Sequence, residues 1–141
     1  MNLIDINVWV PAVWGEHSKH REAKAWLDSH EDAELAFCRI TELGLLRNLT
    51  NPAVMGRAAL TRRQAWDVLL ELQDDPRVRF LQEPSGLAPL WIAMSKRDDH
   101  SHKLWTDDYL AAFAQAAHAD LVTFDRSMHG RYPSVRVVTL Q

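Results

Sequence analysis

The stretch TDDYLAAFAQAAHADLVTFDR, residues 106–126, joins a predicted helix to a predicted buried strand that ends at an aspartate. Thr106 is the predicted N-cap of the helix, which would run to about His118 with apolar residues spaced three and four apart. The apolar run DLVTF, residues 120–124, is short and bounded by polar residues, as is typical of a buried strand. A helix followed directly by such a strand is typical of α/β folds.

The rest of the chain shows the same alternation of strands and helices. Four further apolar runs are predicted strands: MNLIDI (1–6), AELAF (33–37), VRFL (78–81) and VRVVTL (135–140). The predicted helices between them are NVWVPAVW (7–14), KHREAKAWLDSH (19–30), RITELGLLRNLT (39–50), TRRQAWDVLLELQDD (61–75) and LAPLWIAMSKR (87–97). This order predicts a parallel sheet with helices on both faces.

Length and composition indicate a globular protein with one core. The chain has 141 residues, of which 47% are hydrophobic and 25% charged, so residues 1–141 are expected to form one domain. The single cysteine, Cys38, excludes an internal disulfide and fits a reducing compartment. No signal peptide or membrane helix is predicted, so we expect a cytoplasmic protein that does not contact membranes. The net charge of −3 means that nucleic-acid binding would need a local basic patch or a bound cation.

Four acidic residues fall at corresponding corners of the predicted fold. Asp5 and Asp125 end strands, while Glu42 and Asp107 lie in the first turns of helices. The carboxyl ends of parallel strands and the amino ends of the helices that follow them meet at one edge of an open sheet. We therefore expect these four side chains to surround one cleft.

The adjacent acids Asp107 and Asp108 are predicted to differ in role. At about 100° per residue, Asp107 lies at the flank of the apolar stripe, where it can face a cleft at the sheet edge. Asp108 lies almost opposite that stripe. It is expected to face water and to stabilise the helix dipole.

A cluster of carboxylates favours a hard divalent cation. Ionised carboxylates repel one another, so the cluster stays charged only if a cation neutralises it. Oxygen ligands suit Mg²⁺ or Mn²⁺, and such an ion can polarise a phosphate and activate water. The alternative for any single acid is an ordinary helix cap or surface residue.

The motifs LIDINVWV, TELGLLRNLTNP, TDDYLAAFA and LVTFDRSM, in that order, resemble those of PIN-domain ribonucleases, and more narrowly the VapC toxins of bacterial toxin–antitoxin pairs. The resemblance extends over nearly the whole chain. It implies a three-layer α/β/α fold with a central, mostly parallel sheet, and a divalent-metal-dependent endoribonuclease that uses Mg²⁺ or Mn²⁺.

The resemblance also assigns site residues. Asp5, Asp107 and Asp125 match the metal-binding aspartates, and Glu42 matches the glutamate that ligates the metal or orients water. Asn7 and Thr123 match positions that hydrogen-bond near the site, although an N-cap and an ordinary strand residue explain them equally well. These six positions are the candidate site.

The expected partners are an RNA substrate, a cognate VapB-like antitoxin and a second copy of the chain in a homodimer. Arg126 is the basic residue expected nearest to the chemistry, where it would contact RNA phosphates. Trp9 and Trp14 are expected at a partner surface, since tryptophan is favoured at interface anchor points. The other tryptophans in helical patterns, Trp26, Trp66 and Trp91, are expected in the core.

Two other functions remain open from the sequence. A phosphohydrolase of the haloacid-dehalogenase kind could use Asp5 as a nucleophile, but it would need a second acid where this chain has Asn7. A non-catalytic PIN-like module could bind RNA or a protein, and loss of one of the four acids would be its signature. All four acids are present.

Overall fold

The computed structural model, which describes residues 1–141, contains one sheet of five parallel strands. The strands are β1 (Asn2–Ile4), β2 (Leu35–Phe37), β3 (Val78–Phe80), β4 (Asp120–Thr123) and β5 (Val137–Thr139). Their order across the sheet is β3-β2-β1-β4-β5, and every neighbouring pair is parallel. All five strands therefore lie within segments predicted from apolar runs.

Eight helices and one 3₁₀ turn connect these strands. The helices are α1 (Ile6–Val13), α2 (His20–Asp28), α3 (Arg39–Leu49), α4 (Pro52–Met55), α5 (Arg62–Asp74), α6 (Leu87–Ser95), α7 (Trp105–Ala117) and α8 (Met128–Arg131), and the 3₁₀ turn is Gly56–Ala58. None of them is long and apolar enough to cross a membrane.

The helices form a layer on each face of the sheet, which gives the three-layer α/β/α fold. Neighbouring residues of the central strands enter opposite layers, because side chains alternate across a strand. Leu3 and Leu121 pack with α6, α7 and α8, whereas Ile4 and Val122 pack with α1, α2, α3 and α5. Burial on both faces explains why these strands read as continuous apolar runs in the sequence.

The strand order creates a crevice between β1 and β4. The chain runs outward from β1 through β2 to β3, and then returns to add β4 on the other side of β1. Ligand sites in such sheets lie at this reversal, beyond the carboxyl ends of the strands. The backbone N–H of Asp5 donates to the carbonyl of Val122 at 2.9 Å, so the two strands remain paired up to the edge of the crevice.

The structure corrects three predictions about elements and tryptophans. Helix α7 begins at Trp105 after Leu104, so Thr106 lies inside the helix and is not its cap. Trp9 is fully buried and stacks on Phe37 of β2, with ring centroids 4.0 Å apart. Trp66 is 49% exposed, since the buried face of α5 is centred on Ala65 and Leu69.

Candidate active site

Three aspartates from distant segments line one open cleft at the carboxyl edge of the sheet. Asp5, Asp107 and Asp125 share this space of about 590 Å³ with Asn7 and Thr106. We call it the aspartate cleft. Asp5 follows β1, Asp125 follows β4, and Asp107 belongs to the first turn of α7. The expected convergence of these three acids is therefore present in the structure.

Asp5 is the most buried acid of the cleft. It lies between β1 and α1 and is only 7% exposed. Burial raises the pKa of Asp5 from 3.8 to about 6, with a further upward contribution from the charge of Asp107. A hydrogen bond from Thr123 Oγ1 to Asp5 Oδ2, 2.8 Å long, opposes this rise. The ionised form of Asp5 is thus costly in the absence of a nearby cation.

Asn7 and Thr123 connect the ends of β1 and β4. The Asn7 amide Nδ2 donates to Thr123 Oγ1 at 2.9 Å, and Asn7 Oδ1 accepts from the backbone N–H of Phe124 at 3.1 Å. The backbone N–H of Asp125 also donates to Thr123 Oγ1 at 3.0 Å. One hydroxyl therefore holds Asp5 and the start of the Asp125 loop in a fixed relation.

Arg131 supplies positive charge to the other two aspartates. Its guanidinium lies 3.1 Å from Asp107 Oδ2 and 3.5 Å from Asp125 Oδ2, and it also donates to Ser127 Oγ. Burial raises the pKa of Asp107, and the contact with Arg131 opposes that rise. Hydrogen bonds from the Ser127 hydroxyl and backbone hold the pKa of Asp125 below its usual value.

Arg131 is a site residue that the sequence did not indicate. The sequence pointed instead to Arg126, which is exposed and forms no ion pair with the aspartates. The reason is the short helix α8, which turns the chain back so that the sixth residue after Asp125 meets that aspartate again. A helix of four residues leaves no periodic signal in the sequence.

Glu42 does not line the aspartate cleft, which contradicts the expected grouping of four acids. Its carboxylate is buried on the β3 side of α3, where Arg39 Nη1 donates to Oε1 at 2.8 Å and Gln73 Nε2 donates to Oε2 at 2.6 Å. It borders a separate cavity with Phe37 and Phe80. The first turn of α3 was placed at the correct edge, but the Glu42 side chain contacts Arg39 of α3 and Gln73 of α5 instead of the aspartates.

Asp108 does not face water, which corrects the second prediction for the aspartate pair. It is 8% exposed, and its Oδ1 accepts a hydrogen bond from the hydroxyl of Tyr132. The buried surface of α7 is wider than the predicted apolar stripe, because Ala111 and Ala112, on the side of Asp108, are also fully buried. Segment 128–135 packs over this side of the helix.

The donor set of the cleft fits a hard divalent cation, although the side chains do not form a ready-made cage. No three carboxylate, imidazole or thiol groups of the chain are arranged as a metal site. Asp107 and Asp125 instead point to Arg131, and Asp5 points to Thr123. The donors are nevertheless all oxygen, and burial raises the pKa values of Asp5 and Asp107, so their ionised forms would gain from a nearby cation. The carboxylates therefore suit Mg²⁺ or Mn²⁺ when the cation replaces Arg131 as the partner of Asp107 and Asp125.

Comparison with known proteins identifies a protein family and relatives that match most of the chain. The family model of the PIN domain matches residues 3–132. Ribonuclease VapC41 from Mycobacterium tuberculosis is 40% identical over 130 residues, which are 89% of this chain and 89% of that protein. Ribonuclease VapC38 from the same organism is 30% identical over 129 residues, 89% of this chain and 85% of that protein.

Solved structures with the same fold include toxins and toxin–antitoxin complexes. VapC20 of Mycobacterium tuberculosis, described as a sarcin-ricin loop cleaving toxin, has a TM-score of 0.66 and 17% identity, with 96% of this chain and 99% of that chain covered. VapBC2 from Rickettsia felis, bound to a promoter DNA fragment, has a TM-score of 0.68 and 14% identity, with coverage of 99% and 98%. At these identities the structural matches establish the fold.

Proposed function

The chain belongs to the PIN-domain family and to its VapC-type ribonucleases, and from this we propose that it is the toxin of a VapBC-type pair that cleaves RNA at the aspartate cleft. The observation that carries the proposal is the meeting of Asp5, Asp107 and Asp125 in one cleft from three distant segments. The similarity to named ribonucleases supports the same reaction.

Asp5, Asp107 and Asp125 are the proposed ligands of one Mg²⁺ or Mn²⁺ ion. Such an ion would supply Lewis-acid polarisation of the scissile phosphate and would activate water near neutral pH. Thr123 holds Asp5 Oδ2 through its hydroxyl, and Asp5 lines the cleft. Asn7 and Thr123 keep Asp5 and the Asp125 loop in position through the contacts between β1 and β4.

Positive side chains of the cleft are proposed to bind the RNA backbone. Lys19 lies at the rim, with Nζ 4.6 Å from the ring centre of Phe124, and His17 lies beside it. When Arg131 is not paired with the aspartates, its guanidinium can bind the scissile phosphate. Arg126 remains a proposed contact farther along the RNA because it follows Asp125 and is exposed.

Glu42 is proposed to act indirectly. As placed, its carboxylate accepts from Arg39 and Gln73 and does not line the aspartate cleft. Its catalytic contribution would then be the positioning of α3, whose Asn48 lines the cleft. Glu42→Gln should lower the cleavage rate far less than Asp5→Asn.

Cleavage of total RNA by the purified protein tests the proposed reaction. Wild-type protein with Mg²⁺ should cut RNA at defined sites and leave 5′-phosphate and 3′-hydroxyl ends, as the resemblance implies. Addition of EDTA, or the substitution Asp5→Asn, should abolish cutting. Metal-independent cutting would exclude the proposed metal chemistry. A pure, folded protein that binds RNA without cutting it would favour the non-catalytic module.

We also propose a cytoplasmic homodimer that is neutralised by a VapB-like antitoxin. Support comes from the VapBC complexes among proteins of the same fold and from an RNA substrate that is found in the cytoplasm. Co-expression with a cognate VapB-like antitoxin should yield a stable complex with suppressed RNA cleavage. The free protein should elute as a dimer in size-exclusion chromatography with light scattering, and a monomer would refute the dimer.

A further inference from the structure

A second cavity lies beside the aspartate cleft, across the first turn of α7. It has a volume of about 300 Å³ and lies between α7, the end of α8 and the α6–α7 connection. We call it the α6–α7 cavity. Asp107 lines the aspartate cleft and Asp108 lines this cavity, while Arg131 lines the cavity and also contacts Asp107. The two spaces are therefore neighbours that share the first turn of α7 and the contact between Arg131 and Asp107.

Trp105 gives the cavity an aromatic wall that the fold does not need. It is the first residue of α7 and is 56% exposed, more than any other large apolar side chain of the chain. Met94 and Leu104 add further apolar surface to the wall. An exposed indole next to a site for phosphate chemistry suits stacking on an unpaired base.

The polar groups of the cavity are matched to the edge of a base. Tyr132 donates its hydroxyl to Asp108 Oδ1, which fixes this carboxylate and leaves Oδ2 to accept from a ligand. Arg97 donates its Nε to the carbonyl of Met94 at 3.0 Å, which leaves its terminal nitrogens for a phosphate or carbonyl oxygen. The cavity thus presents one fixed acceptor, one cation and one stacking face.

We propose that the α6–α7 cavity is a nucleobase subsite for a nucleotide next to the cleaved phosphodiester, in which Trp105 stacks on the base and Asp108 accepts a hydrogen bond from its exocyclic amino group. This inference rests on the proposed function of the aspartate cleft. Cytosine, adenine and guanine carry such an amino group and uracil does not, so the subsite selects against uracil. Only an unpaired base can turn its face and edge into the cavity, so the substrate is single-stranded or looped RNA.

Binding of a short, fluorescently labelled single-stranded RNA tests the subsite directly. The measurements use the full chain with Asp5→Asn, which is expected not to cut. In this background, Trp105→Ala should weaken binding about tenfold, because the stacking surface is lost. Trp105→Phe should stay within about threefold of the parent, because a smaller aromatic face remains. Trp66→Ala removes another exposed tryptophan, on α5 and away from the cavity, and should leave the affinity unchanged.

Mapping of cleavage sites tests the role of Asp108. The wild-type protein should avoid uracil at the subsite position, and Asp108→Asn should relax or change that preference, because an amide can also donate to a carbonyl of uracil. The amide oxygen can still accept from Tyr132, so the variant should fold. Trp105→Ala with Asp5 intact should raise KM more than it lowers kcat, since stacking acts on binding.

The outcomes separate the subsite from the proposed reaction. If Trp105→Ala binds the RNA as tightly as its parent, or cuts with wild-type KM and site preference, the subsite is refuted while the cleavage reaction stands. If wild-type protein cuts no RNA, the reaction is refuted. In that case the order of affinities among the Trp105 and Trp66 variants still decides whether the cavity binds a base.

Discussion

Asp5 carries a cost in stability that its site role would explain. Its pKa is raised from 3.8 to about 6 by burial, so the folded protein holds the proton more tightly than the unfolded chain does. Stability from this group is fully present below the unfolded pKa and is lost as the pH rises through the folded pKa. The neutral-pH protein without metal therefore contains a carboxylate that weakens its fold.

Asp5→Asn is expected to stabilise the metal-free protein at neutral pH. The amide cannot ionise and its oxygen can still accept from Thr123, so the free energy of unfolding should rise by about 1–3 kcal/mol above about pH 7. The gain should vanish below about pH 4, where Asp5 is protonated in both states. Urea unfolding in EDTA across this pH range measures it. Asp125→Asn is the control with the opposite sign, because the pKa of Asp125 is lowered. An Asp5→Asn gain that did not change with pH would contradict the account.

Tyr132→Phe should destabilise the fold through Asp108. Loss of the hydroxyl leaves the buried Asp108 carboxylate without its hydrogen-bond donor, at a cost of about 1–3 kcal/mol in the free energy of unfolding. Tyr109→Phe is the matched control, since its hydroxyl donates to Glu83 in an exposed bond at 2.8 Å. Chemical denaturation should show a larger loss in the free energy of unfolding for Tyr132→Phe than for Tyr109→Phe. Equal losses would argue against a buried hydrogen bond between Tyr132 and Asp108.

For individual residues, the sequence predicted the three aspartates of the cleft but not the side chains that surround them. Asp5 and Asp125 follow apolar strands and Asp107 begins a helix, so local pattern was sufficient to place them at one edge. The positions of Arg131 and Tyr132 depend on α8, which is too short to leave a pattern. Glu42 was placed on the correct turn, but its direction depends on Gln73 of α5, a contact that sequence does not reveal.

Gly44 of α3 lies directly against the side chain of Ile6 in α1. A Cβ added there would lie 2.0 Å from Ile6 Cδ1 and 2.6 Å from Ile6 Cγ1. Ile6 directly follows Asp5, so this contact links the packing of two helices to the aspartate cleft.

Gly44→Ala should therefore push α1 away from α3 and disturb Asp5. We expect a loss of about 1–3 kcal/mol from overpacking, which exceeds the gain of about 1 kcal/mol that alanine brings to a helix. Cleavage activity should fall with stability. The double variant Gly44→Ala/Ile6→Ala removes the clashing atoms and should recover part of both. Thermal unfolding and cleavage assays check this, and a stabilised Gly44→Ala protein would contradict it.

Prediction of the elements succeeded where burial left a strong pattern. The central strands are buried on both faces and read as apolar runs, and α3 and α5 show helical spacing with clear ends. The predicted N-cap of α7, Thr106, lies two residues after the observed one, Leu104. The prediction that Trp66 is buried was also wrong, because the sequence does not show which face of α5 packs against the rest of the protein.

For the whole molecule, we propose that residues 1–141 unfold as one unit. The central strands contribute to both core layers, so neither layer can separate without exposing the sheet. Tryptophan fluorescence, from residues in both layers, and far-UV circular dichroism should therefore give coincident unfolding curves in urea. Two separate transitions would show that the layers are independent.

The central claim is that Asp5, Asp107 and Asp125 form one site for RNA cleavage. The most direct test is the single-turnover cleavage rate of one RNA with saturating Mg²⁺, measured for the wild type and for each aspartate-to-asparagine variant. The account predicts a loss of about 100-fold or more for Asp5→Asn and Asp107→Asn, whereas Asp98→Asn, in the exposed α6–α7 connection, should cleave at the wild-type rate. Cleavage by Asp5→Asn at the wild-type rate would contradict it.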